Sequence, residues 1–269
     1  MITLFENDLK ENGRMSSKGN QLKWQSGDFW YKADYLGYEG LSEYLCSEML
    51  RFSDLSETEY TSYETEEILY KNNVFKGCRS KNFLSEGWQA VTLERLFKTR
   101  YGRSLGADLY GIHNPGDRLN YLVEEVERAT GIKDFGIYVN RLLTIDALFL
   151  NEDRHTHNIA VLLDPNENFH CCPVFDLGAS LLSDTTLDYP MGADLYTLID
   201  TVKGKTICDS LYEALTVSEE LYGENIHFTF SYREIRDALD REPYYPADYK
   251  KRVLAVLLEQ RRKYPYLFK

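Results

Sequence analysis

The segment LNEDRHTHNIAVLLDPNENFHCCPVFDLGASLL, residues 150–182, decides how this sequence of 269 residues is interpreted. It follows the run 134–150, whose apolar residues lie on nearly every face of a helix and predict that this helix is central and buried. A polar loop comes next. The apolar run 159–163, the turn DPNEN and the run 169–175 then predict a β-hairpin, and Asp-Leu-Gly at 176–178 follows it directly.

Polar side chains of this segment have the chemistry that phosphoryl transfer requires. The carboxylate of Asp153 can orient an acceptor hydroxyl and take its proton. Asn158 and Asp176 offer the hard oxygen ligands that Mg²⁺ prefers, and Gly178 is expected to allow a sharp turn after the metal-binding residue. Because loop Asp and Asn residues are also common turn formers and caps, the prediction depends on their joint order. A buried helix, an Asp-x₄-Asn loop, a hairpin and Asp-x-Gly form the order in which a protein kinase carries its catalytic parts.

The rest of the sequence predicts an α+β protein with a two-lobed, protein-kinase-like fold. Short aromatic or alternating runs predict a β-rich part, with strands at 3–10, 21–25, 28–34 and 59–78 and a helix at 39–51. From about residue 88 the pattern is helical, with helices at 87–102, 117–129, 134–150, 231–239 and 247–263. We expect a nucleotide-binding lobe at 1–88, a catalytic lobe at 89–269, and the ligand site in the cleft between them.

The β-rich part offers a lysine for the nucleotide. Lys32 lies in FWYKAD, the third predicted strand, where a kinase places the lysine that contacts the α- and β-phosphates. Glu43, one turn into the following helix, is the predicted ion-pair partner of Lys32, and Glu39 and Glu48 are the alternatives. The segment SSKGNQLK at 16–23 lies between the first two predicted strands, where a loop that covers the phosphates belongs.

These segments together resemble the HipA-like serine/threonine kinases. The catalytic loop of that family carries Asp, His and Asn in the spacing of NEDRHTHN, and its metal-binding Asp follows a hairpin, as in FDLG. SSKGNQLK resembles the family's S-x-x-G-x-Q-x-K loop, and YKAD with SEYLCSEML resembles its strand lysine and the helix after it. Phosphatidylinositol kinases, whose fold is related, share the DRHxxN loop. The compact length is similar to that of the short HipA-like kinases.

The resemblance implies a role for each matching residue. Lys32 would contact the ATP phosphates, and Asp153 would be the catalytic base. Asn158 and Asp176 would hold Mg²⁺. His155 lies at the position of the family's loop histidine and is expected to hold Asp153 by packing or a hydrogen bond. The implied phosphate-loop residues are Ser17, Gly19, Gln21 and Lys23.

The resemblance also raises the question of autophosphorylation. In family toxins a serine immediately before the loop glycine is phosphorylated, which ejects the loop and inactivates the enzyme. This sequence has Lys18 at that position, so the resemblance does not directly imply this form of control for the present protein. The remaining candidate acceptors are Ser16, Ser17, Ser183, Thr185 and Thr186.

The amino-acid composition argues against some classes of binding partner. A net charge of −12 and a pI near 5.0 repel phosphate backbones and anionic lipids, which argues against direct nucleic-acid binding. No run reaches the ~18–20 apolar residues that cross a bilayer, and the polar N-terminus is unlike a secretory signal. Five irregularly spaced cysteines indicate reduced thiols and a cytoplasmic protein, or one delivered to a host cell as an effector. The resemblance implies a protein substrate with a serine or threonine acceptor, and an antitoxin partner.

Other functions remain as alternatives. A kinase of lipids or small molecules is compatible with the DRHxxN loop, and the chain could be a toxin component that acts mainly through a protein interface. A metal hydrolase is disfavoured because HTH followed by HCC matches no usual zinc spacing. Gly204-Lys205-Thr206 resembles the end of a Walker A motif, but Ile199 stands where the first glycine is required.

Overall fold

A five-stranded sheet forms the N-terminal part of the structure, a computed structural model that describes residues 1–10 and 21–269. The strand order is β1-β4-β5-β3-β2, with β1 parallel to β4 and the other neighbours antiparallel. The strands are β1 (Ile2–Thr3), β2 (Lys23–Ser26), β3 (Phe29–Ala33), β4 (Tyr63–Tyr70) and β5 (Asn73–Lys81).

Helices and a small second sheet form the rest. The second sheet has the order β6-β7-β8, with β6 (Gln89–Thr92), β7 (Ala160–Leu163) and β8 (Phe169–Cys171). The helices are α1 (Glu39–Leu50), α2 (Leu93–Tyr101), α3 (Leu105–Tyr110), α4 (Pro115–Thr130), α5 (Phe135–Phe149), α6 (Leu195–Thr201), α7 (Leu211–Tyr222), α8 (Tyr232–Arg241) and α9 (Ala247–Lys263). The predicted α+β class is confirmed.

Helix α1 joins the sheet to the helical part. Leu41, Leu45 and Met49 of this helix are fully buried, and they share one hydrophobic core with α4, α5 and α9. The hydroxyl of Tyr44 donates to the carbonyl of Ala238 in α8 at 3.0 Å. Because α1 carries Glu43, this packing fixes the position of that carboxylate relative to both parts. The lobe boundary at residue 88 stays a prediction.

Three predicted elements differ from the structure. The run 3–10 is a strand only at β1, and a 3-10 helix at Glu6–Asp8 follows it. The run 87–102 is a strand and then a helix, because β6 pairs with β7 and the side chain of Thr92 accepts from the backbone N–H of Arg95, which starts α2. The run 59–78 contains two strands, and Lys71 and Asn72 at positive φ form the two-residue turn between them.

The junction between β3 and α1 carries a carboxyl group with a displaced pKa. Asp34 accepts from the hydroxyl of Tyr245 at 2.7 Å and from the N–H of Gly40 at 2.6 Å. Burial, together with the nearby Glu39 carboxylate, raises the pKa of Asp34 to about 7. The folded protein therefore keeps a proton there that the unfolded chain has lost between about pH 4 and 7.

We expect the free energy of unfolding to fall as pH rises through that window, by at most about 1.4 kcal/mol per pH unit. Asp34→Asn should remove this dependence and be more stable than the wild type at pH 8. Urea unfolding from pH 5 to 8 measures it. Asp28→Asn, an exposed site in the same part of the chain, serves as the control. Parallel stability curves for wild type and Asp34→Asn would contradict the prediction.

None of the helices in the part of the chain that the structure describes is long and apolar enough to cross a membrane.

Candidate active site

Lys32 lies between two carboxylates at the junction of sheet and helices. Its Nζ is 2.5 Å from Glu43 Oε1 and 2.6 Å from Asp176 Oδ1. It also lies 5.3 Å from the centre of the Tyr63 ring. The structure thus pairs Lys32 with Glu43 and brings Asp176, 144 positions away in sequence, to the same ammonium group.

The two alternative partners of Lys32 have other contacts. Glu39 accepts from the backbone N–H groups of Leu36 and Gly37 at the start of α1, at 2.7 and 3.1 Å. Glu48 faces Arg241 at 2.6 Å. Glu43 is therefore the glutamate of α1 that faces the sheet.

The backbone around Asp176 directs its carboxylate to Lys32. Asp176 itself has a left-handed conformation with φ of 60°, which residues other than glycine rarely adopt. Its N–H donates to the hydroxyl of Tyr63 at 3.4 Å, and the next N–H, of Leu177, donates to Glu43 Oε2 at 2.7 Å. The sharp turn was predicted at Gly178, and that prediction is wrong: Gly178 has no positive φ, and the aspartate makes the turn.

Burial and the neighbouring charges shift the pKa values of Lys32, Glu43 and Asp176 in opposite directions. Burial raises the pKa of Glu43, and the Lys32 ammonium offsets only part of that rise. Burial would also raise the pKa of Asp176, but Lys32 and Lys23 reverse the effect and hold it well below its usual range. Burial would lower the pKa of Lys32, whereas Asp176 and Glu43 keep it well above its ordinary value. Lys32 is therefore charged at neutral pH.

The polar loop after α5 positions Asp153 and Asn158 together. Asn158 Nδ2 donates to the backbone carbonyl of Asp153 at 2.8 Å and to Asp153 Oδ2 at 3.3 Å. Asp153 Oδ1 lies 2.8 Å from Lys205 Nζ. His155 Nε2 is 3.7 Å from the same oxygen, and burial lowers the pKa of His155. His155 is therefore a neutral neighbour of Asp153 at pH 7, and its expected role in holding Asp153 stays a prediction.

Arg154 is the residue of this loop that the sequence analysis missed. Its side chain is 2% exposed and forms a buried ion pair with Asp146 of α5 at 3.1 Å. Its Nη1 donates to the carbonyls of Asn158 at 3.0 Å and of Phe175 at 3.1 Å. One guanidinium nitrogen therefore joins the polar loop after α5 to the residue before Asp176. A lone arginine between Asp and His gave no signal of this role, because its partners lie far apart in sequence.

The predicted Mg²⁺ ligands have oxygen atoms suited to a hard cation. Both bonds that Asn158 makes to Asp153 use Nδ2, so Oδ1 points elsewhere. Asp176 binds Lys32 through Oδ1, which leaves Oδ2 as the second oxygen. Arg154 holds the two backbones close together. An amide oxygen and a carboxylate oxygen fit the preference of Mg²⁺.

The phosphate-loop predictions fall only partly within the described residues. Ser17 and Gly19 lie outside them. Lys23 is directly opposite Lys32 in the β2–β3 pairing, so the two side chains share one face of the sheet. Gln21 precedes β2 and is partly buried. Lys23 thus adds positive charge on the side of the sheet where Lys32 and Asp176 meet.

The histidines and cysteines considered for a metal hydrolase are dispersed. His170 pairs with Asp164 at 3.1 Å and packs against Trp88, whereas His155 packs against His157. Cys171 is exposed and Cys172 buried, as strand alternation predicts. Within residues 1–10 and 21–269, no group of three or more His, Cys, Asp or Glu side chains is arranged to hold a metal ion.

Three features together define a kinase-like fold. The sheet has a lysine on its third strand, and the helix that follows carries the glutamate paired with it. The helical part has a loop with an aspartate, then a hairpin, then a second aspartate. The *Helicobacter pylori* proinflammatory kinase CtkA has this fold: it matches 97% of this chain and 94% of its own with a TM-score of 0.58 and 16% sequence identity. The predicted resemblance to HipA-like kinases is thereby confirmed for the fold.

A chain of the *Shewanella oneidensis* MR-1 toxin–antitoxin complex of HipA, HipB and operator DNA matches more loosely. That match covers 93% of this chain and 66% of that chain, with a TM-score of 0.44 and 14% identity. No protein-family model and no curated protein matches the sequence.

Proposed function

We propose that the protein is an ATP- and Mg²⁺-dependent kinase that transfers the γ-phosphate to serine or threonine residues of a protein. The observation that carries the proposal is the ammonium of Lys32 held between Glu43 and Asp176 at 2.5 and 2.6 Å. A surface lysine would not be ordered by two carboxylates from separate segments. Arg154 supports it further, because it joins the loop of Asp153 and Asn158 to the backbone before Asp176.

In this proposal each residue has a defined step. Lys32 and Lys23 bind the ATP phosphates. Asp153 accepts the proton of the acceptor hydroxyl, whose oxygen forms a bond to the γ-phosphorus. The bond from that phosphorus to the β–γ bridging oxygen breaks, ADP leaves with the electron pair, and Asp153 releases the proton to solvent. Mg²⁺ bound by Asn158 and Asp176 would neutralise charge on the phosphates.

The surface of α9 favours a protein acceptor over an anionic lipid. A run of basic residues on a helix is typical of docking to anionic membranes. The basic residues of α9 are Lys250, Lys251, Arg252, Arg261, Arg262 and Lys263. Lys250 pairs with Glu242 at 3.0 Å, and Arg262 pairs with Glu259 at 2.5 Å. Arg252 is 7% exposed. Much of the positive charge of α9 is therefore neutralised or buried within the protein.

Three of the predicted autophosphorylation sites lie within the described residues, and they differ in how far they are exposed to solvent. Ser183 is 3% exposed, and its hydroxyl donates to the carbonyl of Gly178 at 2.6 Å. Thr185 is partly buried and Thr186 is exposed. The Thr186 hydroxyl donates to the carbonyl of Leu36 at 2.7 Å and must leave that bond to be phosphorylated. Because its side chain is nevertheless the most exposed of the three, we propose Thr186 as the acceptor after Asp-Leu-Gly. Ser16 and Ser17 lie outside the described residues. An antitoxin partner and a cytoplasmic or host location stay predictions.

Asp176→Asn should reduce phosphoryl transfer by at least about a hundredfold, while the protein stays folded at a lower stability because the ion pair of Asp176 with Lys32 is lost. The amide keeps the shape of the side chain, and Lys32 keeps Glu43 as its partner. Transfer from [γ-³²P]ATP to a basic protein (histone) and an acidic one (casein), and to the protein itself, measures this. Asp240→Asn, in α8, where the side chain is 68% exposed, is the control.

The same assay separates the alternative classes of function. Label on protein serine or threonine that disappears in Asp176→Asn supports the proposal. Label that partitions into an organic phase from added phosphoinositide vesicles would replace it with a lipid kinase. An unchanged rate in Asp176→Asn would remove that residue from the mechanism.

A further inference from the structure

A loop between α6 and α7 brings a lysine to the predicted catalytic aspartate. Lys205 Nζ lies 2.8 Å from Asp153 Oδ1, although the two residues are 52 positions apart. The sequence singled out Gly204-Lys205-Thr206 only as an incomplete Walker A motif. The structure places the lysine of this motif at the catalytic loop instead.

The backbone on both sides of the lysine fixes its position. The hydroxyl of Thr206, a residue only 9% exposed, donates to the carbonyl of Arg154 at 2.5 Å. Ile207 is buried, and its carbonyl accepts from Arg118 of α4. Most ion pairs on protein surfaces contribute little, because two flexible side chains must be ordered. Here the loop that carries the lysine is bound directly to the residue next to Asp153.

We propose that Lys205 is a further residue of the phosphoryl-transfer site, which binds the γ-phosphoryl group and orients Asp153. This inference rests on the proposed function. A base must lie within hydrogen-bonding distance of the hydroxyl that attacks phosphorus, so an ammonium group in contact with that base is close to the transferring group. A lysine has three N–H donors, so a contact with Asp153 leaves others for phosphoryl oxygens.

Charge at the site supports this assignment. The positive charge of Lys32 is already opposed by the two carboxylates of Glu43 and Asp176. Lys205 is 38% exposed on its side chain, so a ligand can reach it. Lys205 takes no part in the proton transfer: the hydroxyl proton goes to Asp153, the new bond joins the acceptor oxygen to phosphorus, and ADP leaves with the electron pair. Lys205 acts as a charged donor to the oxygens on which negative charge accumulates.

Lys205→Met tests the assignment, with Lys203→Met as the matched control. Lys203 lies in the same loop, is 73% exposed and pairs with Asp209. We expect Lys205→Met to lower kcat about 10²–10³-fold, the usual effect of removing one donor to a developing charge. Calorimetry should show about tenfold weaker binding of Mg·AMP-PNP and unchanged binding of Mg·ADP, because only the first carries a γ-phosphoryl group. Lys205→Arg should recover part of both effects.

The outcomes separate this inference from the proposed function. If Asp176→Asn is inactive but Lys205→Met keeps the wild-type rate and Mg·AMP-PNP affinity, Lys205 has no such role and the kinase proposal stands. Equal losses in Lys205→Met and Lys203→Met, or equal losses for Mg·AMP-PNP and Mg·ADP, would indicate a general electrostatic or folding effect and overturn the inference. Failure of the wild-type protein to transfer phosphate to any acceptor would overturn both.

Discussion

Arg154→Met is expected to lower the free energy of unfolding by about 3–5 kcal/mol and to abolish phosphoryl transfer. Removal of the guanidinium leaves the carboxylate of Asp146, which is 1% exposed, buried without its cation. Asn151 Nδ2 still donates to Asp146 at 2.7 Å, but one neutral donor does not replace the ion pair. Urea unfolding gives the loss of stability, and the [γ-³²P]ATP assay gives the loss of transfer.

A double variant separates stability from positioning. Asp146→Asn combined with Arg154→Met has no unpaired buried charge, so much of the stability should return. Transfer should stay lost, because the carbonyls of Asn158 and Phe175 no longer share a donor. Recovery of activity together with stability would show that Arg154 acts only through the fold. Arg154→Lys should not rescue transfer, since a single ammonium cannot reproduce the planar set of donors.

Features encoded by neighbouring residues could be predicted from the sequence. The order of buried helix, polar loop, hairpin and Asp-Leu-Gly is local, and the structure has these elements in that order. The pair of Lys32 and Glu43 could be predicted because strand β3 and helix α1 are consecutive. The sequence did not exclude the alternatives Glu39 and Glu48, since α1 is buried on nearly every side and its apolar pattern does not identify one inward face.

Contacts between distant segments could not be predicted. Lys205 reaches Asp153 across 52 positions, and Arg154 reaches the carbonyl of Phe175 across 21. Neither residue lies in a pattern that identifies its partner. The left-handed backbone of Asp176 was also missed, because glycine is the usual residue at such turns and Gly178 was close by. An aspartate at that position is held by its contacts with Tyr63 and Lys32.

Lys32→Met is expected to destabilise the protein by about 3–5 kcal/mol at pH 7, in addition to abolishing ATP binding. Glu43 is 1% exposed and would lose the cation that neutralises it, with the Asp176 carboxylate close by. Weaker ATP binding by this variant is therefore not by itself proof of a phosphate contact. The measurement that separates the two effects is stability as a function of pH.

The direction in which the stability of Lys32→Met changes with pH follows from the carboxylate of Glu43. In Lys32→Met the buried Glu43 should keep a proton in the folded protein that the unfolded chain has lost above about pH 4.3. The variant should therefore lose stability as pH rises from 5 to 8 and recover on acidification. Adding Glu43→Gln should return the pH dependence of stability to that of the wild-type protein, in which Asp34 still contributes, and restore part of the stability, while ATP binding stays weak. Lys81→Met, at an exposed position of β5, should change stability by no more than about 0.5 kcal/mol. A Lys32→Met protein as stable as the wild type at pH 7 would contradict a buried charge cluster, whereas full ATP affinity in the double variant would contradict the phosphate contact of Lys32.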